Sequence, residues 1–290
     1  DRHAGRPWVF SGMLKRILVP LDGSPLSEQS IPTALHLAER DGAEVELVHA
    51  LEALPESYVE EVAAWARDRT SRPVTAKLLT GRAKDALLEH IALRNPDLVI
   101  MTTHGRGGLT SAWLGGVATH LMHHVQAPML LFKPAEQHGR DAAPHRFDRV
   151  LAPVDTTMEG ERAIDNASNV AGKAAHYIVL HVLHPAVPFA PDAYGVLPAI
   201  NETELLANAE RYLGDLAVRM KQRGLDCQMK VVWDARTASR ILDVVKEEDA
   251  DLISLETHGR RGLERLLLGS VADKVVRGAA VPVLLQRPGT

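Results

Sequence analysis

A single cysteine, Cys227, occurs in 290 residues. No internal disulfide can form, and the plain reading is a reducing compartment, the cytoplasm. No apolar run approaches the roughly 18 residues that a membrane-spanning helix needs. Asp1–Gly12 lacks the long apolar centre of a secretory signal, and Met13, directly before the first apolar run, is expected to be the natural start. Neither sign of charge dominates. The net charge is −4, of which residues 1–144 carry −2 and the remainder −2. No basic face or tail argues for nucleic acid as a partner. There is also no G-x4-G-K-[ST], so the chain is not a P-loop ATPase.

What the sequence does have is a duplicated text. M-T-T-H-G-R-G-G-L-T-S-A-W-L-G-G-V-A, Met101–Ala118, returns 154 positions later as L-E-T-H-G-R-R-G-L-E-R-L-L-L-G-S-V-A, Leu255–Ala272. Each copy places T-H-G-R after an apolar run and puts nine residues between two glycines, Gly105 to Gly115 and Gly259 to Gly269. Earlier in the chain K-R-I-L-V-P-L-D (Lys15–Asp22) returns as D-R-V-L-A-P-V-D (Asp148–Asp155), and E-L-V-H-A (Glu46–Ala50) returns as I-V-L-H-V (Ile178–Val182). A-P-M-L-L-F (Ala127–Phe132) returns as V-P-V-L-L-Q (Val281–Gln286). The offset grows from 133 at Asp22/Asp155 to 154 at the glycine motif, so the second copy holds about 21 extra residues between its second and third strands. The Pro-rich stretch Pro185–Pro198 accounts for most of them. The length suits two domains, expected at 13–134 and 146–288, joined by the polar, breaker-rich linker 135–145.

Short apolar runs alternate with amphipathic stretches, which predicts βαβ units and a parallel sheet covered on both faces. Strands are predicted near 16–20, 44–50, 74–79, 97–102 and 128–132, then near 149–153, 176–182, 228–233, 251–256 and 281–286. Helices are predicted near 26–40, 56–69, 83–94 and 115–125, then near 159–173, 202–223, 236–248 and 269–277. Both glycine segments follow a strand and open a helix, where unpaired amides and the positive dipole end favour anions. Glycines let several amides converge on a phosphate chain, Ser270 adds a hydroxyl, and Arg106 or Arg260 adds charge. Asp22 and Asp155 close the first strand of each copy, beside the expected switch-point crevice. There a carboxylate suits a ribose hydroxyl or an adenine amine. In D-G-S-P, Asp22–Pro25, it equally suits a turn that caps the next helix. The two readings are compatible and both stay open.

This ordered set, occurring twice from Lys15 to Gln286, resembles the universal stress protein family in its tandem-domain form. The family signature is Gly-x2-Gly-x9-Gly-Ser/Thr after the fourth strand, with a P-x-D end to the first strand and an H-V pair ending the second. The resemblance implies two Rossmann-like α/β domains (adenine nucleotide alpha hydrolase-like), each a five-stranded parallel sheet of order 3-2-1-4-5 with helices on both faces. It also implies that ATP or another adenine nucleotide, with Mg²⁺, binds with adenine near the first two strand ends and phosphates on the glycine loop. Carried over, the second-domain site is Pro153, Asp155, Val182, Gly259, Arg260, Gly269, Ser270 and Val271. The first-domain site is Pro20, Asp22, Ala50, Gly105, Arg106, Gly115, Gly116 and Val117. The chain departs from the signature at Thr102 and Glu256, which stand where the first glycine belongs, and at Gly116, where a hydroxyl belongs. A carboxylate at Glu256 repels phosphate unless Arg260, Arg261 or a metal pairs with it. Losing a hydroxyl donor at Gly116 costs about 1 kcal/mol.

Other residues are read as structural. His104 and His258 have no second catalytic partner, so each is expected to make a structural hydrogen bond. His120, His123 and His124 have metal-like spacing without a carboxylate or thiol and read as a helix face. Cys227 reads as a packed thiol, and Trp65, Trp113 and Trp233 as packing residues. No catalytic or metal-binding residue is expected. The function expected is an adenine-nucleotide-binding stress or signalling protein with little or no turnover. A nucleotide-independent interaction module and a slow ATPase are the alternatives. Each copy ends in a short apolar edge strand that needs cover. Single-domain relatives that resemble this chain pair these strands across a two-fold axis. Met129–Leu131 is therefore expected to lie antiparallel to Val283–Leu285 within the chain; pairing between chains would instead make a homodimer.

Overall fold

The computed structural model describes residues 13–50, 57–104, 114–134, 139–156, 158–185, 201–257 and 269–287. In the first half the elements run β1 (Arg16–Leu21), α1 (Pro25–Glu28), α2 (Ser30–Asp41), β2 (Glu44–Ala50), α3 (Ser57–Arg67), β3 (Val74–Leu79), α4 (Ala83–Arg94), β4 (Leu98–Thr102), α5 (Gly116–His124) and β5 (Met129–Phe132). The second half follows with β6 (Arg149–Pro153), α6 (Met158–Ala171), β7 (His176–Leu183), α7 (Glu202–Gln222), β8 (Asp226–Trp233), α8 (Thr237–Glu247), β9 (Leu252–Glu256), α9 (Ser270–Gly278) and β10 (Val283–Gln286). Among the described residues no helix is long and apolar enough to cross a membrane.

The strands form one ten-stranded α/β sheet in the order β3-β2-β1-β4-β5-β10-β9-β6-β7-β8. Each half is parallel with the order 3-2-1-4-5. The halves meet at β5 and β10, which run antiparallel with Met129 opposite Leu285, Leu130 opposite Leu284 and Leu131 opposite Val283. Side chains alternate across a strand, and here the alternation sorts them into two cores. Ile17, Leu98, Leu130, Leu284 and Leu252 face α2, α3, α6 and α7. Leu18, Val99, Leu131, Val283 and Ile253 face α4, α5, α8 and α9. Both cores run through the β5–β10 junction without a break.

The helix predicted over 26–40 is two helices. Pro32 lacks the amide that would bond back to the Glu28 carbonyl, and its ring crowds that carbonyl. The chain therefore breaks at Gln29, with Ser24 capping the short α1 through a bond from the Ser27 amide. The extra length of the second copy is more than a Pro-rich loop. Tyr58 opens α3 but its counterpart Tyr212 lies midway along α7, so the first turns of α7 belong to the insertion. A cavity of about 490 Å³ lies between α7 and β8, lined by Leu206, Leu213, Met229 and Trp233 among others. It contains none of the candidate site residues.

Residues 139–145 of the linker dock on the first half. Gly139–Asp141 forms one 3-10 turn with Gly139 against Pro25. Arg140 lies 3.4 Å from the Glu28 carboxylate and over the Trp65 ring at 5.6 Å. The His145 amide donates to the Thr33 hydroxyl at 3.0 Å. Its ring packs 4.7 Å from that of Phe132, and burial lowers its pKa. Two cations cross between the halves onto helix C-termini, where carbonyls lack partners. Arg40 reaches the Asn169 carbonyl at 2.6 Å, and Lys133 reaches the Arg277 carbonyl at 2.9 Å.

Leu130 and Leu284 face each other across the junction and are nearly inaccessible to solvent. Either one changed to alanine is expected to cost about 2–5 kcal/mol. The double variant should depart from additivity by at least about 0.5 kcal/mol. Denaturant titration of the four proteins measures both quantities, and strict additivity would show that the two halves do not share a core.

Candidate functional site

In each half the helix after the first strand goes to one face of the sheet and the helix after the fourth goes to the other. A crevice therefore opens beyond the carboxyl ends of β1 and β4, and again beyond β6 and β9. This is the topological switch point at which ligands of open α/β sheets sit. Asp22 follows β1, Ala50 ends β2, and Gly115, Gly116 and Val117 open α5. In the second half Pro153 ends β6, Asp155 lies two residues on, Val182 sits near the end of β7, and Gly269, Ser270 and Val271 open α9. Gly105, Arg106, Gly259 and Arg260 lie outside the described residues, as do His258 and Trp113.

The glycine loops are held the same way twice. The Thr103 amide donates to the Phe132 carbonyl on β5, and its carbonyl accepts from the Gly115 amide at 2.8 Å. The Thr257 amide donates to the Gln286 carbonyl on β10, and its carbonyl accepts from the Gly269 amide at 2.7 Å. A Cβ on Gly115 would sit 3.2 Å from the Thr103 oxygen, so close that the carbonyl would have to shift by a few tenths of an ångström. Glycine at this N-cap position also supplies no capping side chain, in α5 or in α9. The first helical amides, which have no acceptor within the helix, remain available to an anion.

The two loops differ in what surrounds them. The Lys84 ammonium, from the first turn of α4, lies 3.4 Å from where a Cβ on Gly116 would stand. In the second half the corresponding pair is Ala238 and Ser270. The first loop thus has a cation where the second has a hydroxyl. Glu256 stands at the position of Thr102, its carboxylate oxygens shielded from solvent. Thr102 spends its hydroxyl on the His104 carbonyl at 2.8 Å.

Asp22 adopts the turn geometry. Its Oδ1 accepts from the Ser24 amide at 2.9 Å and the Ser24 hydroxyl at 2.6 Å, around Gly23 at φ +81°. In the second copy the same step falls on Thr156 at φ +65°. A β-branched residue in the left-handed region carries strain that glycine does not.

Two further pairs recur in both copies, and sequence reading missed them. His49 Nδ1 donates to the Leu21 carbonyl at 2.9 Å, and His181 Nδ1 donates to the Val154 carbonyl at 2.8 Å. Tyr58 donates to Glu28 at 2.9 Å, and Tyr212 donates to Glu161 at 2.8 Å. Burial, reinforced by the neighbouring carboxylate, holds both phenols well above their usual range. The signal was present in the spacings: Glu28 and Glu161 are 133 positions apart, Tyr58 and Tyr212 are 154 apart. Arg140 of the linker supplies the second partner of Glu28, where Glu161 has Arg219 of its own domain at 2.6 Å.

The remaining candidates pack. His104 Nδ1 lies 2.9 Å from the Thr103 hydroxyl. His120 stacks on His124 at 4.3 Å, and burial followed by the charge of His124 lowers its pKa. Among the described residues no group of three histidine, cysteine or acidic side chains is placed to hold a metal ion. Burial raises the Cys227 thiol, and Trp65 lies under Arg69 at 4.1 Å.

The model of the universal stress protein family matches residues 13–133 and again 146–287. A universal stress protein of Mycolicibacterium smegmatis is 26% identical over 297 residues, covering 94% of this chain and 97% of that protein. Among solved structures, a functionally unknown protein from Pseudomonas aeruginosa PAO1 aligns with a TM-score of 0.71 at 19% identity, over 96% of this chain and 94% of that one. A universal stress protein from Archaeoglobus fulgidus aligns with a TM-score of 0.64 at 19% identity, over 97% and 98%. At these identities the structural likeness bears on the fold alone.

Relief of the strain at Thr156 is directly measurable. Thr156→Gly should raise stability by about 1 kcal/mol, and Gly23→Thr should lower it by at least as much. The shift of the urea midpoint at unchanged slope reads both. A destabilised Thr156→Gly protein would mean that contacts of the threonine side chain outweigh its backbone strain.

Proposed function

We propose, on the premise that this chain belongs to the universal stress protein family, that it binds an adenine nucleotide, ATP or a close relative together with Mg²⁺, and turns it over little or not at all. Its role is then that of a stress-response or signalling protein that reports nucleotide by binding it. The observation that carries the reading is the duplicated pair of glycine N-caps, which leave the first amides of α5 and α9 uncapped beside the switch-point crevices. Phosphates would lie on Gly115, Gly116 and Val117 in one half and on Gly269, Ser270 and Val271 in the other. The base would lie near Ala50 or Val182, and the ribose near Asp22 or Asp155. Lys84 suits a polyphosphate chain in the first half, since an ammonium beside the positive end of a helix dipole is best offset by an anion. No residue is assigned a catalytic role, and Mg²⁺ would be brought by the phosphates.

We read residues 13–134 and 146–288 as the two domains. The β5–β10 junction is read as the solution architecture, with the chain closing its own sheet edge in preference to pairing with a second copy. A competing reading has a specific observation behind it in the second half only. The shielded carboxylate of Glu256 at the phosphate loop favours a site that has given up nucleotide and serves as an interaction surface.

Titration calorimetry with ATP and Mg²⁺ is expected to give heat at one or both sites. No heat and no thermal shift at millimolar ligand would refute the proposal. Ser270→Ala should weaken the second site by about 0.5–1.5 kcal/mol, the net worth of one hydrogen bond. Lys84→Ala should weaken the first site by a similar amount, about 0.5–1.5 kcal/mol, and by less for AMP than for ATP.

A further inference from the structure

We propose that His49 and His181 are positioning residues for the base end of the bound nucleotide, an inference that rests on the nucleotide-binding reading above. Each imidazole is a crossbar between the ends of two neighbouring strands. β1 and β2 run parallel with Leu21 opposite His49, so the ring at the end of β2 reaches sideways to the Leu21 carbonyl. His181 makes the same bond to the carbonyl of Val154, just beyond β6. A carbonyl only accepts, so in both rings Nδ1 carries the proton.

The bonded residues are the immediate neighbours of candidate site residues on both sides. Leu21 precedes Asp22 and His49 precedes Ala50; Val154 precedes Asp155 and His181 precedes Val182. One side-chain bond therefore adds to the backbone ladder in fixing the strand end that would meet the ribose against the one that would meet adenine. The two copies hold this geometry although their surroundings differ. Glu46 of β2, three residues before His49, is replaced by Ile178 in β7, three residues before His181.

Packing alone does not call for histidine here. Both rings are buried, at 2% and 7% exposure. The Nε2 of His49 is shielded from solvent and makes no hydrogen bond among the described residues. A buried polar atom without a partner costs stability, and a leucine of similar volume would avoid that cost. What leucine cannot do is add a bond to the Leu21 or Val154 carbonyl, beyond the ladder, at the strand ends.

The test uses the full chain and the double variants H49L/H181L and H49N/H181N, with ATP and inorganic tripolyphosphate as probes. Asparagine places an amide N–H near the position of Nδ1. The leucine variant is expected to lose about fivefold or more in ATP affinity while tripolyphosphate binding stays as in the wild type, and asparagine is expected to recover most of the loss. A general structural defect would weaken both probes together, and that outcome overturns the inference, as does a leucine variant that binds ATP normally. A wild-type chain that binds no ATP overturns the functional reading and this inference with it. If the leucine variant does not fold, imidazole ¹⁵N shifts of the wild type decide. Protonated Nδ1 on both rings, with resonances that move on adding ATP and not on adding tripolyphosphate, supports the inference. Resonances indifferent to ATP overturn it.

Discussion

The antiparallel pairing of β5 with β10 is the contact on which the rest of the structure depends. An apolar edge strand left open is a template for aggregation, and each half of this chain ends in one. Joined to each other, the two edges disappear and both helical layers gain a core that continues from one half into the other. The same strands also anchor the glycine loops. Phe132 of β5 holds the Thr103 amide and Gln286 of β10 holds the Thr257 amide, and those threonines hold Gly115 and Gly269 in turn. A shift of register at the junction would move both candidate phosphate sites.

Around this shared frame the copies have diverged where their chemistry differs. Asp97 and Asp251 accept the amides that open β1 and β6 in the same way. Under α4, however, the buried Glu46 is flanked by His90 at 3.2 Å and Arg94 at 3.1 Å. The second copy has Ile178, Val244 and Glu248 at those positions. Exchange of a buried polar pair for apolar packing, here Glu46 and His90 for Ile178 and Val244, is often neutral for stability, which is why one fold accommodates both solutions. The exchange of Lys84 and Gly116 for Ala238 and Ser270 is different in kind, because it alters what the helix N-terminus offers an anion. The two crevices are copies in geometry and unlike in charge.

Much of this was legible in the sequence for a physical reason. Strands buried on both faces must be apolar almost throughout, so the runs 98–101 and 283–285 stand out, and repetition doubles every signal. The Asp22 turn could be read from D-G-S-P because its bonds are local. Pro32 was equally visible, yet the break it makes at Gln29 went unread because the amphipathic pattern continues across it. The His49 and His181 crossbars join positions 28 and 27 residues apart, and the Tyr58–Glu28 and Tyr212–Glu161 bonds join helices after different strands. Local pattern does not report such contacts. The docking of Arg140 on Glu28 was hidden for another reason: a polar, breaker-rich stretch looks the same whether it is tethered or free.

Amide hydrogen exchange at the junction, followed across a range of protein concentrations, tests the account most directly. If the chain closes its own sheet, the amides of Leu130, Leu131, Leu284 and Leu285 that lie in the ladder exchange only by global unfolding, and their protection does not change on dilution of a monomeric protein. Rapid exchange at these residues, or protection that disappears on dilution as a dimer dissociates, would contradict it.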